Sequence, residues 1–280
     1  MNTIEKISKA FNTAAATYEK TAVLQQEVGS RLRERLHLFK QQPESILDLG
    51  CGTGLVLTSL RQQFPKAHIV GLDRSIGMLE MVQKKHRWWS KQPLVQADME
   101  RLPFADKSFQ LIFANQVVHW TSDWTLLWKE LYRVLAPEGC VLFSTLGPDT
   151  FRELRQAWST IDHYAHTNTF LDMHDIGDHL VRAGFSDPVM DMEYVSLRYP
   201  SVLALLKSLK SQGVSLTHPE RRPGLMGKSV LQQLAEAYPV IEVGKYPLCY
   251  EVIYGHAWKR APVAAPTVQE TFISIDQIGR

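Results

Sequence analysis

The first part of the chain carries apolar residues at helical spacing. Between residues 21 and 39 they recur every three or four positions, which places them on one face of a helix. These positions are Leu24, Val28, Leu32, Leu36 and Phe39. The charged residues between them are expected to face solvent. Residues 1–40 are therefore predicted to be helical.

From residue 45 the pattern changes to short apolar runs that alternate with segments of helical length and period. The runs predict strands at Ser45–Leu49, His68–Leu72, Leu94–Gln96, Phe109–Ala114 and Cys140–Thr145. The segments between them predict helices at Leu55–Phe64, Ile76–Arg87 and Asp123–Leu135, and a turn at Pro137–Gly139. Such alternation indicates an α/β fold with a mostly parallel sheet and helices on both of its faces.

After Gly147 the alternation loosens, and the pattern predicts a mainly helical insertion. Its helices are expected at Thr150–Tyr164, His174–Ala183, Val202–Ser211 and Lys228–Tyr238. Two late apolar stretches, Val189–Tyr199 and Leu248–Trp258, predict antiparallel strands near the sheet edge. The chain is interpreted as one domain over residues 1–260, followed by a flexible tail at 261–280. Its parts are a helical lid (1–40), a core (44–146), an insertion with a late strand (147–245) and a final strand (246–260).

A glycine-rich turn follows the first predicted strand and precedes a helix. Its spacing, Gly50-x-Gly52-x-Gly54, brings the third glycine one residue earlier than in the dinucleotide fingerprint. Asp48 stands two positions before Gly50, where a carboxylate suits a cationic amino group better than a phosphate. The motif therefore favours a positively charged amino-acid nucleoside over NAD. The alternative is that these glycines only form a turn.

Two further acidic residues end the next two predicted strands. Asp73 lies 23 positions after Gly50 (73 − 50), which is the usual place for an acid that accepts hydrogen bonds from ribose hydroxyls. Asp98 ends the third strand, where its carboxylate can receive an adenine amino group, and Met78 is expected to cover the adenine. Each acid alone could be a helix cap. The three strand-end features together favour a nucleoside site.

Composition narrows the class of protein. The 280 residues are 45% hydrophobic and carry a net charge of +2, which is ordinary for a globular protein and argues against bulk nucleic-acid binding. The sequence predicts no transmembrane helix, no secretory signal and therefore no membrane partner. Three cysteines without metal-ligand spacing predict no metal site. A reduced, cytoplasmic protein is expected.

The core resembles the class I S-adenosylmethionine-dependent methyltransferases over residues 44–146. The resemblance rests on the glycine turn, the two strand-end acids, Leu102-Pro103-Phe104 and the run Glu130–Gly139. It implies a Rossmann-like seven-stranded fold in which Asp48 and Gly50 hold the methionine end, Asp73 the ribose, and Asp98 and Met99 the adenine. The full set of cofactor-binding candidates is Asp48, Gly50, Cys51, Gly52, Gly54, Asp73, Met78, Asp98, Met99 and Asn115.

A second resemblance concerns the methyl acceptor and covers nearly the whole chain to about Lys259. The segments Ala10–Tyr18, Leu24-Gln25, Phe170–Gly177 and Tyr246–Tyr250 are similar to the malonyl-acyl-carrier-protein O-methyltransferase family of biotin synthesis. This implies methylation of the free carboxylate of a malonyl thioester on acyl carrier protein. The resulting methyl ester is then the primer for the pimeloyl moiety.

Several residues are candidates for acting on that acceptor. Tyr18 is expected to close the site from the lid and to orient the carboxylate. His119 follows the fourth strand, and it is open whether it is a base, a hydrogen-bond donor or a buried polar residue. Gln25 is a further substrate-binding candidate. The basic residue that receives the carboxylate is left open between Lys210 and Arg133.

A cluster of basic residues in the insertion predicts where the acidic carrier docks. Six basic residues and one acidic residue, Glu220, give residues 198–228 a net charge of +5. The basic ones are Arg198, Lys207, Lys210, Arg221, Arg222 and Lys228. Two alternatives remain at this point. One is a methyltransferase with another acceptor, such as a quinone, and the other is a non-catalytic regulator that binds S-adenosylmethionine or the carrier.

Overall fold

A seven-stranded sheet organises the computed structural model, which describes residues 3–38, 42–85, 93–213, 227–242 and 244–260. The strands are β1 (Ser45–Leu49), β2 (His68–Asp73), β3 (Leu94–Gln96), β4 (Phe109–Asn115), β5 (Leu135–Leu146), β6 (Ser186–Tyr199) and β7 (Tyr246–Lys259). Their order in the sheet is β3-β2-β1-β4-β5-β7-β6. The first five strands pair in parallel, and β7 pairs antiparallel with both β5 and β6. The predicted fold class, including the late antiparallel strands, is confirmed.

Ten α-helices lie within the described residues. They are α1 (Thr3–Ala14), α2 (Tyr18–Thr21), α3 (Val23–Glu34), α4 (Leu55–Gln63), α5 (Ile76–Lys85), α6 (Trp124–Val134), α7 (Arg152–Ser159), α8 (Met173–Arg182), α9 (Val202–Ser211) and α10 (Lys228–Ala237). Short 3₁₀ turns follow α3 at Arg35–Leu38 and β4 at Val118–Trp120. Within the described ranges, none of these helices has both the length and the hydropathy that a bilayer span requires.

The apolar side chains form two cores, one on each face of the sheet. One core joins α3, α4, α5, α7, α9 and α10 to the sheet, with Leu24, Leu57 and Leu205 fully buried. The opposite core joins α6 and α8, with Trp128 and Leu180 at its centre. This arrangement explains why the parallel strands are almost continuous apolar runs in the sequence, since a parallel sheet that is covered on both faces has no solvent-facing side.

The N-terminal segment is fixed over the carboxyl ends of β1, β2 and β4. The Oδ1 atom of Asn12 accepts hydrogen bonds from Ser75 Oγ at 2.7 Å and from Gly77 N at 2.8 Å, which joins α1 to the start of α5. Glu19 in α2 pairs with Lys85, which also donates to the Thr53 carbonyl at 2.8 Å. Helices α1 and α2 therefore cover the strand ends, and we call them the lid; that they act as one stays a prediction.

Two local predictions differ from the structure. The turn predicted at Pro137–Gly139 is part of β5, which begins at Leu135 because that residue pairs with Phe109. Glu138 takes a φ of +59°, so the strand accommodates the irregularity there. The helix predicted at Thr150–Tyr164 is shorter, since it begins after Phe151, whose φ is +65°. The flexible tail predicted at 261–280 lies outside the described residues.

Candidate active site

The glycine-rich turn lies where the strand order reverses between β1 and β4. Ligands of open α/β sheets bind at this point, outside the carboxyl ends of the strands. Gly50 has a φ of +67°, and a Cβ there would lie 2.3 Å from Val117 Cγ2. Gly52 has a φ of +52° and no atom within 4 Å of such a Cβ, so it leaves open space beside the turn. Gly54 precedes α4, and its Cβ would meet Val82 instead.

Beside this turn is a strand-end cavity of about 110 Å³, bounded by the lid and by the residues that follow β2, β3 and β4. It contains most of the predicted cofactor-binding residues. Those that line it are Gly50, Gly52, Asp73, Met78, Asp98, Met99 and Asn115, together with Trp120, which the sequence analysis did not propose.

The two acids in the strand-end cavity are held in different ways. Asp73 accepts hydrogen bonds from Gly52 N at 2.9 Å and from Ser75 N at 2.7 Å. Burial raises the pKa of Asp73 to about 6, and these backbone donors limit the rise. Asp98 forms an ion pair with Arg74 at 2.6 Å. Both carboxylates keep lone pairs that can accept further hydrogen bonds from a ligand.

Asp48 lines a second space, the glycine-loop cavity of about 230 Å³, with Gly50, Cys51, Gly52, Arg33 and Asn115. The Asp48 side chain is 2% exposed, and its Oδ2 atom has no hydrogen-bond partner. Burial, and then the charge of Asp73, raises the pKa of Asp48 to about 8. A buried carboxylate without a partner is costly, so this position is suited to a cationic ligand group.

A third space, the lid cavity of about 40 Å³, lies between the lid and the insertion. Its walls include Phe11, Tyr18, Gln25, Gln116, His119, Trp120, Asn168, Phe170 and Gln212. Tyr18 lines all three cavities and therefore stands where they meet. Its ring lies 6.3 Å from that of Phe11, which in turn contacts Trp120 at 5.4 Å. Burial and then the charge of Asp73 raise the pKa of Tyr18, so its hydroxyl remains protonated.

His119 lies in the lid cavity as a neutral side chain. Its ring is 5.1 Å from that of Trp120 and 5.6 Å from that of Phe170. Burial lowers the pKa of His119 to about 3. Its Nδ1 atom is 3.4 Å from Thr145 Oγ1, a partner that can fix the tautomer. A neutral imidazole in this cavity can donate or accept a hydrogen bond but carries no charge.

Asn115 and Gln25 connect the lid to the sheet. Asn115 Nδ2 donates to the Gln25 carbonyl at 2.9 Å, and Asn115 Oδ1 accepts from Ser144 Oγ at 2.8 Å. The Gln25 side chain points in the other direction and donates to Gln212 Oε1 at 3.3 Å. The two candidates therefore join the cofactor side of the site to the lid cavity.

Some sequence-predicted residues lie outside these cavities. Gly54 shapes the turn but lines none of the three. Lys210 is exposed on α9 and lines none of them either, so it is not placed to receive a carboxylate in the lid cavity. Arg133 is paired with Glu130 and Asp106 and serves the local structure. Arg221 and Arg222 lie outside the described residues.

Several residues of the lid cavity were not predicted from the sequence. Phe11, Gln116, Asn168 and Gln212 come from a lid helix, a strand end, a loop and a helix end. No periodic pattern links them. Among the described residues, no group of three or more His, Cys, Asp or Glu side chains could hold a metal ion.

Comparisons with known proteins identify the kind of chemistry. The methyltransferase domain family matches residues 47–143. A malonyl-[acyl-carrier protein] O-methyltransferase of Legionella pneumophila is 49% identical over 99% of both chains. One from Gallionella capsiferriformans is 47% identical over 91% of this chain and 90% of that protein.

Solved structures agree on the fold. The YcgJ protein of Bacillus subtilis matches with a TM-score of 0.59 at 15% identity, covering 82% of this chain and 98% of that one. A phosphoethanolamine N-methyltransferase of Haemonchus contortus, solved with S-adenosylhomocysteine, matches with a TM-score of 0.51 at 15% identity, over 83% of this chain and 53% of that one. Because the full-length relatives are so similar, the chain belongs to the malonyl-[acyl-carrier protein] O-methyltransferase family.

Proposed function

We propose that the protein transfers a methyl group from S-adenosylmethionine to the free carboxylate of a malonyl thioester on acyl carrier protein. The product is the methyl ester that serves as primer for the pimeloyl moiety in biotin synthesis. One observation supports the proposal beyond the likeness to the family. The glycine-loop cavity, which contains the buried and unpartnered Oδ2 atom of Asp48, meets the lid cavity, which is lined by neutral polar groups, at Tyr18.

The residues at the strand ends fit this cofactor. The Asp48 carboxyl suits the methionine ammonium, because its buried Oδ2 atom has no partner and a cation beside it would stabilise the ionised form. Asp73 suits the ribose hydroxyls, and Asp98 with Met78 and Met99 suits the adenine. When bound, S-adenosylmethionine supplies an activated methyl group whose bond to sulfur breaks as the acceptor oxygen forms the new bond, with the electron pair remaining on sulfur.

The acceptor requires placement rather than deprotonation. A malonyl carboxylate is already ionised at neutral pH and supplies its own lone pair. The protonated Tyr18 hydroxyl, at the junction of the cavities, would orient one carboxylate oxygen while leaving the other free to attack. His119 is neutral and would contribute a hydrogen bond without titrating. Orientation of this kind supplies roughly 7–11 kcal/mol of a barrier in well-aligned reactions.

The lid contributes by keeping water out of the site. The contacts of Asn12 and Glu19 hold α1 and α2 over the strand ends. Phe11 and Trp120, which line both the strand-end cavity and the lid cavity, meet in an edge-to-face ring contact at 5.4 Å. Exclusion of water partly desolvates the carboxylate and raises its reactivity.

The carrier would dock on the basic part of the insertion. Arg198, Lys207, Lys210 and Lys228 are all exposed, and α9 bears two of them. Gln212, which directly follows α9, lines the lid cavity, and this supports a docking surface close to the proposed acceptor site. Attraction of an acidic carrier would then raise the association rate. A cytoplasmic location stays a prediction.

Intact-mass spectrometry tests the reaction. The protein is incubated with S-adenosylmethionine and malonyl-carrier protein, with malonyl-coenzyme A and free malonate in parallel. We expect one added methyl on the carrier, which mild ester hydrolysis removes. No added mass, with S-adenosylhomocysteine still bound, would leave a methyltransferase with a different acceptor.

A further inference from the structure

The lid cavity is polar but carries no formal charge. Its lining side chains with polar atoms are those of Tyr18, Gln25, Gln116, His119, Trp120, Asn168, Gln212 and Tyr250, and no Lys, Arg, Asp or Glu is among the described residues that line it. Because burial lowers the pKa of His119 to about 3, this side chain is neutral as well. An anionic acceptor in this cavity would therefore be held by dipoles and not by an ion pair.

Asn168 reaches the cavity from the loop between α7 and α8, and a compact side-chain arrangement fixes this loop. The ring of His166 stacks on that of Trp158 at 3.6 Å with an interplanar angle of 3°. His166 Nε2 lies 2.7 Å from Asp162 Oδ1, and the side chains of His166 and Asp162 are 11% and 17% exposed. We call Trp158, Asp162 and His166 the loop brace.

Phe170, which follows Asn168 in the same loop, is also held by contacts. Phe170 places its ring 5.6 Å from that of His119 and 6.4 Å from that of Phe151. Asn168 therefore lies between the loop brace and an aromatic contact with a proposed active-site residue. A loop of thirteen residues between two helices would otherwise be a poor support for a binding group.

The cavity also contains an incomplete hydrogen-bond arrangement opposite the loop. Gln25 Oε1 is buried and has no partner, whereas Gln25 Nε2 donates to Gln212 Oε1 at 3.3 Å. Gln212 Nε2 donates in turn to Ser208 Oγ at 3.1 Å. A buried amide with an unused atom beside a cavity indicates that a further polar group belongs there, since such atoms are normally satisfied. An amide can rotate to present its NH₂ group to an anion.

The size of the cavity agrees with a small acidic group. A space of about 40 Å³ holds roughly three water molecules, at about 10–15 Å³ each. A terminal carboxymethyl group has a similar number of heavy atoms.

We infer that Asn168 binds the terminal carboxylate of the malonyl acceptor, and that Trp158, Asp162 and His166 are positioning residues for it. The inference rests on the proposed function and names the group that selects the substrate. Neutral amides hold the carboxylate without the strong ground-state stabilisation that a salt bridge would bring, so its lone pair stays reactive. Once methylated, the acceptor is a neutral ester and no longer matches a site that favours an anion.

Equilibrium binding tests this independently of turnover. The protein is saturated with S-adenosylhomocysteine and titrated with malonyl-carrier protein and with acetyl-carrier protein. The ratio of the two affinities isolates the carboxylate from carrier docking. In the unsubstituted protein we expect the malonyl form to bind roughly 20-fold more tightly.

Asn168→Asp changes only the charge of the group and keeps its shape. We expect this variant to lose the malonyl preference at pH 8, because the two carboxylates repel, and to regain part of it near pH 5. S-adenosylhomocysteine affinity stays within about twofold of the unsubstituted protein. The matched control is Gln156→Glu, an exposed amide on α7.

His166→Ala tests the loop brace. It should reduce the malonyl preference roughly fivefold and raise KM more than it lowers kcat, and His166→Asn, which keeps a partner for Asp162, should recover part of the loss. The inference is overturned if Asn168→Asp binds malonyl-carrier as the unsubstituted protein does, or if the latter shows no malonyl preference. If the protein shows this preference but transfers no methyl group, the proposed reaction is rejected and the recognition of the malonyl carboxylate is not.

Discussion

The two sides of the site use opposite electrostatics. The cofactor side contains three carboxyl groups, those of Asp48, Asp73 and Asp98, at adjacent strand ends. The lid cavity contains amides, two phenols and a neutral imidazole. Charge suits the first side because a cationic ligand compensates it, and neutrality suits the second because an anion must stay nucleophilic. The difference indicates that the site binds the cofactor firmly and leaves the acceptor carboxylate reactive.

The largest effect is expected from Asp48→Asn. Loss of the unpartnered carboxylate should weaken S-adenosylhomocysteine binding by about 2–5 kcal/mol, because the ligand ammonium loses its counter-charge. Isothermal titration calorimetry measures this, with Asp178→Asn on the surface of α8 as control. Equal affinity in the variant would show that Asp48 does not contact the ammonium.

The same substitution has a pH signature in the ligand-free protein. Since the pKa of Asp48 is raised to about 8 in the fold from an ordinary value near 3.8, the folded state binds the extra proton, and this residue lowers the stability as pH rises from about 4 to 8. The stability of Asp48→Asn relative to the unsubstituted protein should therefore increase across that range. Chemical denaturation at pH 5 and pH 8 measures the difference, and a constant difference would contradict the raised pKa.

Tyr18→Phe removes the hydroxyl at the junction of the two sides. We expect kcat to fall roughly 10–100-fold, the value of a lost hydrogen bond to a charged group, with little change in S-adenosylhomocysteine affinity. Single-turnover kinetics on malonyl-carrier protein separate the two quantities. Tyr164→Phe, at an exposed tyrosine, is the control. An unchanged kcat would restrict Tyr18 to a packing role.

Reversal of the charge at Lys207 and Lys210 tests the proposed docking surface for the carrier, which lies outside the cavities. The double change to Glu should raise KM for malonyl-carrier protein about tenfold at low salt, because the acidic carrier is repelled. KM for malonyl-pantetheine, which has no carrier, should not change. Lys66→Glu, in the exposed loop between α4 and β2, is the matched control. An equal rise for both substrates would place the lysines in acceptor chemistry.

The smallest effect on activity is expected from His119→Gln. A neutral amide can replace a neutral imidazole as a hydrogen-bonding group, so kcat should fall less than about fivefold. The pKa of His119 is lowered to about 3 in the fold, so the unfolded chain binds the extra proton and the unsubstituted protein loses stability as pH falls below about 6.5. Denaturation at pH 5 and pH 8 should show a smaller loss for the variant. A large fall in kcat would indicate general-base catalysis.

The same contrast between the cofactor side and the lid cavity explains how much of the site could be predicted from the sequence. Asp48 to Gly54 are consecutive, and Asp73 and Asp98 end strands, so the folding of a parallel sheet brings them together without further information. The cavity and strand-end geometry follow from that motif. What each residue does with a ligand stays a prediction.

The acceptor side could not be assembled in this way. Phe11, Asn168 and Gln212 come from elements that are far apart in the chain and meet only after the lid and insertion have packed. Asn168 lies in a loop without a periodic pattern, and the stacking of His166 on Trp158 that supports it is a tertiary contact. Lys210 looked suitable by charge, but its position on the exposed face of α9 is set by the packing of Leu205 and Leu209.

A crystal structure of the complex with S-adenosylhomocysteine and a malonyl thioester tests the division of the site most directly. We expect the ligand ammonium within hydrogen-bond distance of Asp48 and the malonyl carboxylate in the lid cavity between Tyr18 and Asn168, without a basic side chain against it. A carboxylate that is held instead by Lys210 or another cation would contradict it.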